Sequence, residues 1–143
     1  MHKILAVDDE LSVRESYRAI LGDRYRVLVA ESGPAALECL EKEYVDLVLL
    51  DLMLPGMSGM EFLQELEARG ESVPVIVVTG SNSIESAVKS IKHGAREFVI
   101  KPFDVEDLSA LVGRIVAEAD EKRELTALRE LGTAGFDNIV GSS

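Results

Sequence analysis

Apolar and polar positions in this chain follow two alternating periods. Five short runs rich in Val, Ile and Leu fall at residues 3–7, 26–29, 45–50, 75–78 and 98–100, each the length of one β-strand. Between them apolar residues recur at helical spacing, as Ala36, Leu37 and Leu40 do within 34–42 and Phe62, Leu63 and Leu66 within 60–68. The alternation βαβαβαβαβα predicts an α/β fold with a parallel sheet covered on both faces, because each parallel neighbour must be reached by a right-handed crossover. The first, third and fourth runs are nearly unbroken in apolar character, which assigns them to the buried middle of the sheet.

Turn chemistry sets the boundaries. Ser32-Gly33-Pro34 opens the second helix, Pro55-Gly56 turns the chain after the third strand, Ser83 caps a helix over 84–91, and His93-Gly94 ends it. Asp104 caps a last helix that starts near Val105 and meets no breaker before Gly132. That length exceeds what the edge of so small a domain needs. Residues 1–118 are therefore expected to form the globular unit and 119–135 a projecting helical linker. Leu125, Leu128 and Leu131 give this linker only a short apolar stripe without a clean heptad.

Composition narrows the function. Hydrophobic residues make up 47% of the 143, enough for an ordinary core. Fifteen basic against 26 acidic residues leave a net charge of -11, which opposes direct binding to a nucleic-acid backbone. No apolar run approaches the roughly 20 residues that span a bilayer, and the N-terminus lacks the apolar core and cleavage site of a signal peptide. The lone Cys39 has no partner for a disulfide or a zinc site. A cytoplasmic protein is expected, with His2 and His93 on its surface rather than in a site.

The chemistry gathers at the strand ends. In an open parallel sheet, ligands bind in the crevice beyond the carboxyl ends of the strands. Asp8 and Asp9 follow the first strand, Asp51 the third, Thr79 the fourth and Lys101 the fifth, so all five would face one crevice. Three carboxylates packed together repel one another unless a cation offsets them, and a hard oxygen-seeking ion such as Mg²⁺ meets that need. A carboxylate beside such an ion can act as a nucleophile on phosphorus and form an aspartyl phosphate. Lys101 would neutralise charge on the transferring group and Thr79 would donate a hydrogen bond to it.

With these residues in place, the chain resembles the receiver domain family of two-component response regulators. The likeness is carried by Ile-Leu-Ala-Val-Asp-Asp-Glu at 4–10, Val-Leu-Leu-Asp-Leu-Met-Leu-Pro-Gly-Met-Ser-Gly at 48–59, Val-Val-Thr-Gly at 77–80 and Phe-Val-Ile-Lys-Pro-Phe at 98–103. The resemblance implies a flavodoxin-like, doubly wound five-stranded sheet in the order 2-1-3-4-5. It implies Asp51 as phosphoacceptor, with Mg²⁺ held by Asp9, Asp51, Asp8 through water and the backbone carbonyl of Met53. It further implies Thr79 and Phe98 as a switch pair, a cis bond before Pro102 and a sensor histidine kinase as donor. Output would pass through the fourth helix, fifth strand and fifth helix, with homodimerisation there and along the linker helix. Phe98 also has a plain reading as a core aromatic on the fifth strand.

The tail, Phe-Asp-Asn-Ile-Val-Gly-Ser-Ser at 136–143, resembles the opening of the central ATPase domain of sigma-54-dependent activators of the nitrogen-regulatory-protein-C class. On that resemblance the chain is a receiver plus linker, and the downstream ATPase and DNA-binding domains are absent from it. No phosphate-loop motif occurs in these residues, so ATP hydrolysis is not expected of them. Two other classes fit less well. A haloacid-dehalogenase-type phosphatase needs a general acid two residues after the nucleophile, where Met53 stands, and a flavodoxin-like phosphate site would be repelled by Asp8-Asp9-Glu10. A receiver fold kept only for dimerisation would not need Asp51, Thr79 and Lys101 together.

Overall fold

The computed structural model describes residues 1–81 and 83–131; the resemblance at 136–143, the breaker Gly132 and the side chain of Leu131 lie outside the described residues. Ten elements alternate along the chain: β1 (Lys3–Val7), α1 (Leu11–Leu21), β2 (Arg26–Ala30), α2 (Gly33–Lys42), β3 (Leu47–Leu50), α3 (Gly59–Ala68), β4 (Val75–Thr79), α4 (Ile84–Lys92), β5 (Glu97–Ile100) and α5 (Val105–Leu131). The strands pair in parallel in the order β2-β1-β3-β4-β5, as expected.

Side-chain alternation along the strands sends two sets of residues to two cores. Leu5, Val7, Val48, Leu50, Val75 and Val77 meet Ala36, Leu37, Phe62, Leu63 and Leu66 of α2 and α3. On the opposite face Ile4, Ala6, Leu47, Leu49, Ile76 and Val78 meet Tyr17 and Leu21 of α1 and Leu108, Val112 and Ile115 of α5. All of β3 and β4 is buried, and so is β1 after Lys3, whereas β5 has no buried residue. Their uninterrupted apolar sequence is thus the signature of strands covered on both sides.

The caps match their residues. Ser32 accepts from the Ala35 N–H, Ser83 from the Ser86 N–H and Asp104 from the Asp107 N–H, while Ser58 and Glu61 cap α3 reciprocally. Gly94, at φ 101°, follows α4 in the left-handed region that an L side chain avoids. β3 begins at Leu47, later than the expected 45: the Asp46 N–H still donates to the Lys3 carbonyl at 2.8 Å, but the Asp46 side chain takes the Lys3 N–H at 2.8 Å, where a longer strand would offer a backbone carbonyl. Helix α4 differs from its neighbours. Its one buried residue is Ser90, while Ile84, Val88 and Ile91 face solvent. Among the described residues, no helix is long and apolar enough to cross a membrane.

Candidate functional site

Each site residue stands where a strand stops. Asp8 follows β1, Asp51 follows β3, Thr79 is the last residue of β4, and Lys101 follows β5. Parallel pairing aligns these ends: Val7 lies beside Leu50, Leu50 beside Val77, and Thr79 beside Ile100. The turn after β3 is held close by Gly59 at the start of α3, where any Cβ would overlap the Asp51 carbonyl oxygen. The Gly59 N–H instead donates to the Leu52 carbonyl at 3.0 Å.

The polar contacts converge on two carboxylates. Asp51 Oδ1 accepts from the Thr79 hydroxyl at 2.8 Å and from the Met53 N–H at 2.9 Å, and Oδ2 accepts from Lys101 Nζ at 3.0 Å. Lys101 Nζ also donates to Asp8 Oδ2 at 2.7 Å, and Asp8 Oδ1 accepts the Glu10 N–H at 2.9 Å. Asp8 is 1% exposed, Asp51 5% and Thr79 0%, so the cluster is charged, nearly dry and shut off on its inner side. The Lys101–Pro102 bond is cis, as the resemblance implied.

Burial raises the Asp8 carboxyl above its ordinary value, and its hydrogen bonds from Lys101 and Glu10 offset this only partly. Burial pulls on the Lys101 ammonium in the opposite sense, but its bonds to Asp8 and Asp51 outweigh the desolvation and hold it charged above its usual range. One ammonium therefore serves two buried acids. Outside them, the carboxylates of Asp8, Asp9 and Glu10 can bring oxygens within 4.8 Å of one another. All of these donors are hard oxygens, the chemistry that Mg²⁺ accepts.

The structure brings Asp8, Asp51, Thr79 and Lys101 into direct contact. Asp9 is exposed and groups with Asp8 and Glu10; Asp51 is not in that acidic group. Phe98 is partly buried against the α2/α3 core, and its partner Val77 puts it on the same sheet face as Thr79, two residues back along β4. Both readings of Phe98 are compatible with that place. Sequence reasoning counted Glu10 among the acids that repel a phosphate but gave it no place in the cluster, and it passed over Arg14, whose guanidinium donates to the Asp8 carbonyl at 2.8 Å. Glu10 was legible as the third acid in a row. His2 and His93 lie away from the crevice, bonded to Asp120 and Glu67.

Known proteins share this fold. Residues 4–113 match the family model of the response regulator receiver domain. Over 141 residues, 98% of the chain, it is 38% identical to the transcriptional regulatory protein ZraR of Escherichia coli K12, spanning 31% of that protein's length. Among solved structures, a CheY-like response regulator receiver domain protein from Methanospirillum hungatei superposes at TM-score 0.80 with 31% identity, over 85% of this chain and 98% of the other. NtrX from Brucella abortus superposes at 0.81 with 33% identity, over 89% of this chain and 30% of its own. Strand order, acidic crevice and family match agree, and the chain belongs to the response regulator receiver domain family.

Proposed function

We propose that this domain is a phosphorylation-controlled switch in which Asp51 accepts a phosphoryl group from a sensor histidine kinase. The observation that carries the reading is the contact set on Asp51: a nucleophilic carboxylate at the crevice floor, bonded on one oxygen to a hydroxyl and on the other to an ammonium. In the transfer, an Asp51 oxygen forms a bond to phosphorus as the P–N bond of the phosphohistidine breaks, and the imidazole leaves with the electron pair. Lys101 keeps its charge throughout and faces the phosphoryl oxygens that replace the Asp51 carboxylate as its partner. Asp8, Asp9, Asp51 and the Met53 carbonyl would hold Mg²⁺. Bound there, Mg²⁺ supplies the positive charge that one lysine cannot provide against several acids and a phosphoryl group.

The same contacts suggest the switch. Thr79 now donates to Asp51 Oδ1, and a phosphoryl oxygen would be a better acceptor just beyond it. Drawing Thr79 outward opens space on the face where Phe98 lies, and α4, attached with so few buried groups, is the element free to respond. The exposed Ile84, Val88, Ile91, Ile100 and Val105 then form an apolar surface on α4, β5 and α5 suited to homodimerisation. Residues 1–118 act as the receiver in this reading and 119–135 as a linker to an ATPase of the sigma-54-activator type in the cytoplasm. The ZraR likeness supports this output, because it runs over 141 residues, past residue 113 where the family match ends.

Intact mass after incubation with acetyl phosphate tests the proposal. A gain of about 80 Da, one phosphoryl group, that requires Mg²⁺ is expected. Equal masses with and without Mg²⁺, under conditions that label another receiver fully, would remove the proposal.

A further inference from the structure

Helix α5 outruns the core that supports it. Val116 is its last buried residue among those described; residues 118–120 are half-buried, with Glu118 accepting from Arg96 at 2.6 Å, and residues 121–129 are exposed and offer the domain no apolar anchor. So short a stretch of helix is marginal in water by itself. Polar contacts hold it instead. The Arg123 guanidinium donates to Asp46 Oδ1 at 2.8 Å, reaches Asp120 Oδ1 at 3.2 Å and lies 5.1 Å over the Tyr44 ring. Asp120 in turn meets His2 Nε2 at 2.7 Å.

Asp46 gives this set its weight. It is 6% exposed, its other oxygen is committed to the Lys3 N–H at 2.8 Å, and it stands immediately before β3. A guanidinium bonded there ties the helix extension to the central strands, at the end of the sheet opposite Asp51. His2, Asp46 and Asp120 can also bring ligand atoms within 4.8 Å of one another, a grouping that a metal ion could use. Arg123 already supplies the positive charge between the two carboxylates, so an ion there would have to displace it.

We propose that Arg123 and Asp46 form a clasp that fixes the direction in which α5 leaves the domain and holds whatever follows the helix in a set orientation. The clasp leaves Leu125 and Leu128 turned to solvent, 55% and 63% exposed. It stands on contacts remote from the crevice and does not depend on phosphorylation of Asp51.

Amide hydrogen exchange across α5 in the full chain tests this, comparing the native protein with Arg123→Ala. Alanine is the better helix former, so lost protection in that variant cannot come from propensity. Protection over residues 117–128 is expected to fall about tenfold, the size of effect that losing a charge-assisted bond produces, while residues 108–116 stay unchanged. Lys122→Ala, which removes an ammonium that has no ion pair among the described residues, is expected to leave protection as it was. Unchanged or higher protection in Arg123→Ala, or an equal fall in Lys122→Ala, would overturn the proposal. Asp46→Asn should repeat the Arg123→Ala pattern, and if it loosens the whole domain, Arg123→Ala decides alone.

Discussion

The two ends of β3 carry the same residue type in opposite circumstances. Asp46 precedes the strand and Asp51 follows it; both are buried, both accept a backbone N–H, and both meet a cation. At the Asp46 end, one guanidinium is shared between a buried acid and the half-exposed Asp120. At the Asp51 end, one ammonium is divided between two buried acids, with Asp9 and Glu10 crowding the rim. In the first arrangement the acid beside Asp46 is half-exposed and its charge is eased by solvent, and the contacts hold a helix in place. The second carries surplus negative charge, the circumstance in which a cluster of carboxylates could take up a metal ion.

Separate substitutions should pull these roles apart. Lys101→Ala has the largest expected effect, slowing labelling by acetyl phosphate about a hundredfold or more, as removal of a charge-stabilising donor does; stopped samples read by intact mass would measure it. Asp46→Asn should lower unfolding free energy by about 1–3 kcal/mol, the usual cost of breaking a hydrogen bond to a charged buried group, while labelling stays at the native rate. Denaturant titration paired with the labelling assay checks both halves. Slow labelling in Asp46→Asn would mean that the two ends of β3 are not independent.

Thr79→Ala should leave the protein able to take up the phosphoryl group but stop the change in α4 exchange that accompanies it, measured by hydrogen exchange with and without acetyl phosphate. The smallest effect concerns the surface. Lys3 pairs with Glu43 at 2.7 Å and lowers the Glu43 carboxyl below its ordinary 4.5. A lowered folded value means that the stabilisation is full above that ordinary value and is lost as pH falls through the folded one. Glu43→Gln should therefore shift the melting midpoint slightly at pH 7 and not at all at pH 2.

Much of this was readable in the chain, for identifiable reasons. Strand runs of unbroken Val, Ile and Leu named β1, β3 and β4 as central because only doubly covered strands can afford no polar face. The crevice residues were legible because parallel topology sends every strand's carboxyl end to the same side, so position along the chain became position in space. The Asp46–Arg123 pair was not legible. Its partners are 77 residues apart, and nothing local marks an arginine on a charged helix as the one that reaches back to a buried acid. The late start of β3 was hidden for a related reason: Val45 reads as strand, and the side chain that takes the Lys3 N–H belongs to the polar residue beside it. Arg14 likewise serves a backbone carbonyl, an acceptor that every residue carries.

Reductive trapping of the labelled protein puts the central claim to its most direct test. Borohydride converts an aspartyl phosphate to homoserine, and peptide mass mapping then locates it. Homoserine at position 51, dependent on Mg²⁺ and lost in Asp51→Asn, is the expected result. Homoserine at position 8 or 9, or a phosphoryl group that survives on a serine or threonine, would contradict Asp51 as the acceptor.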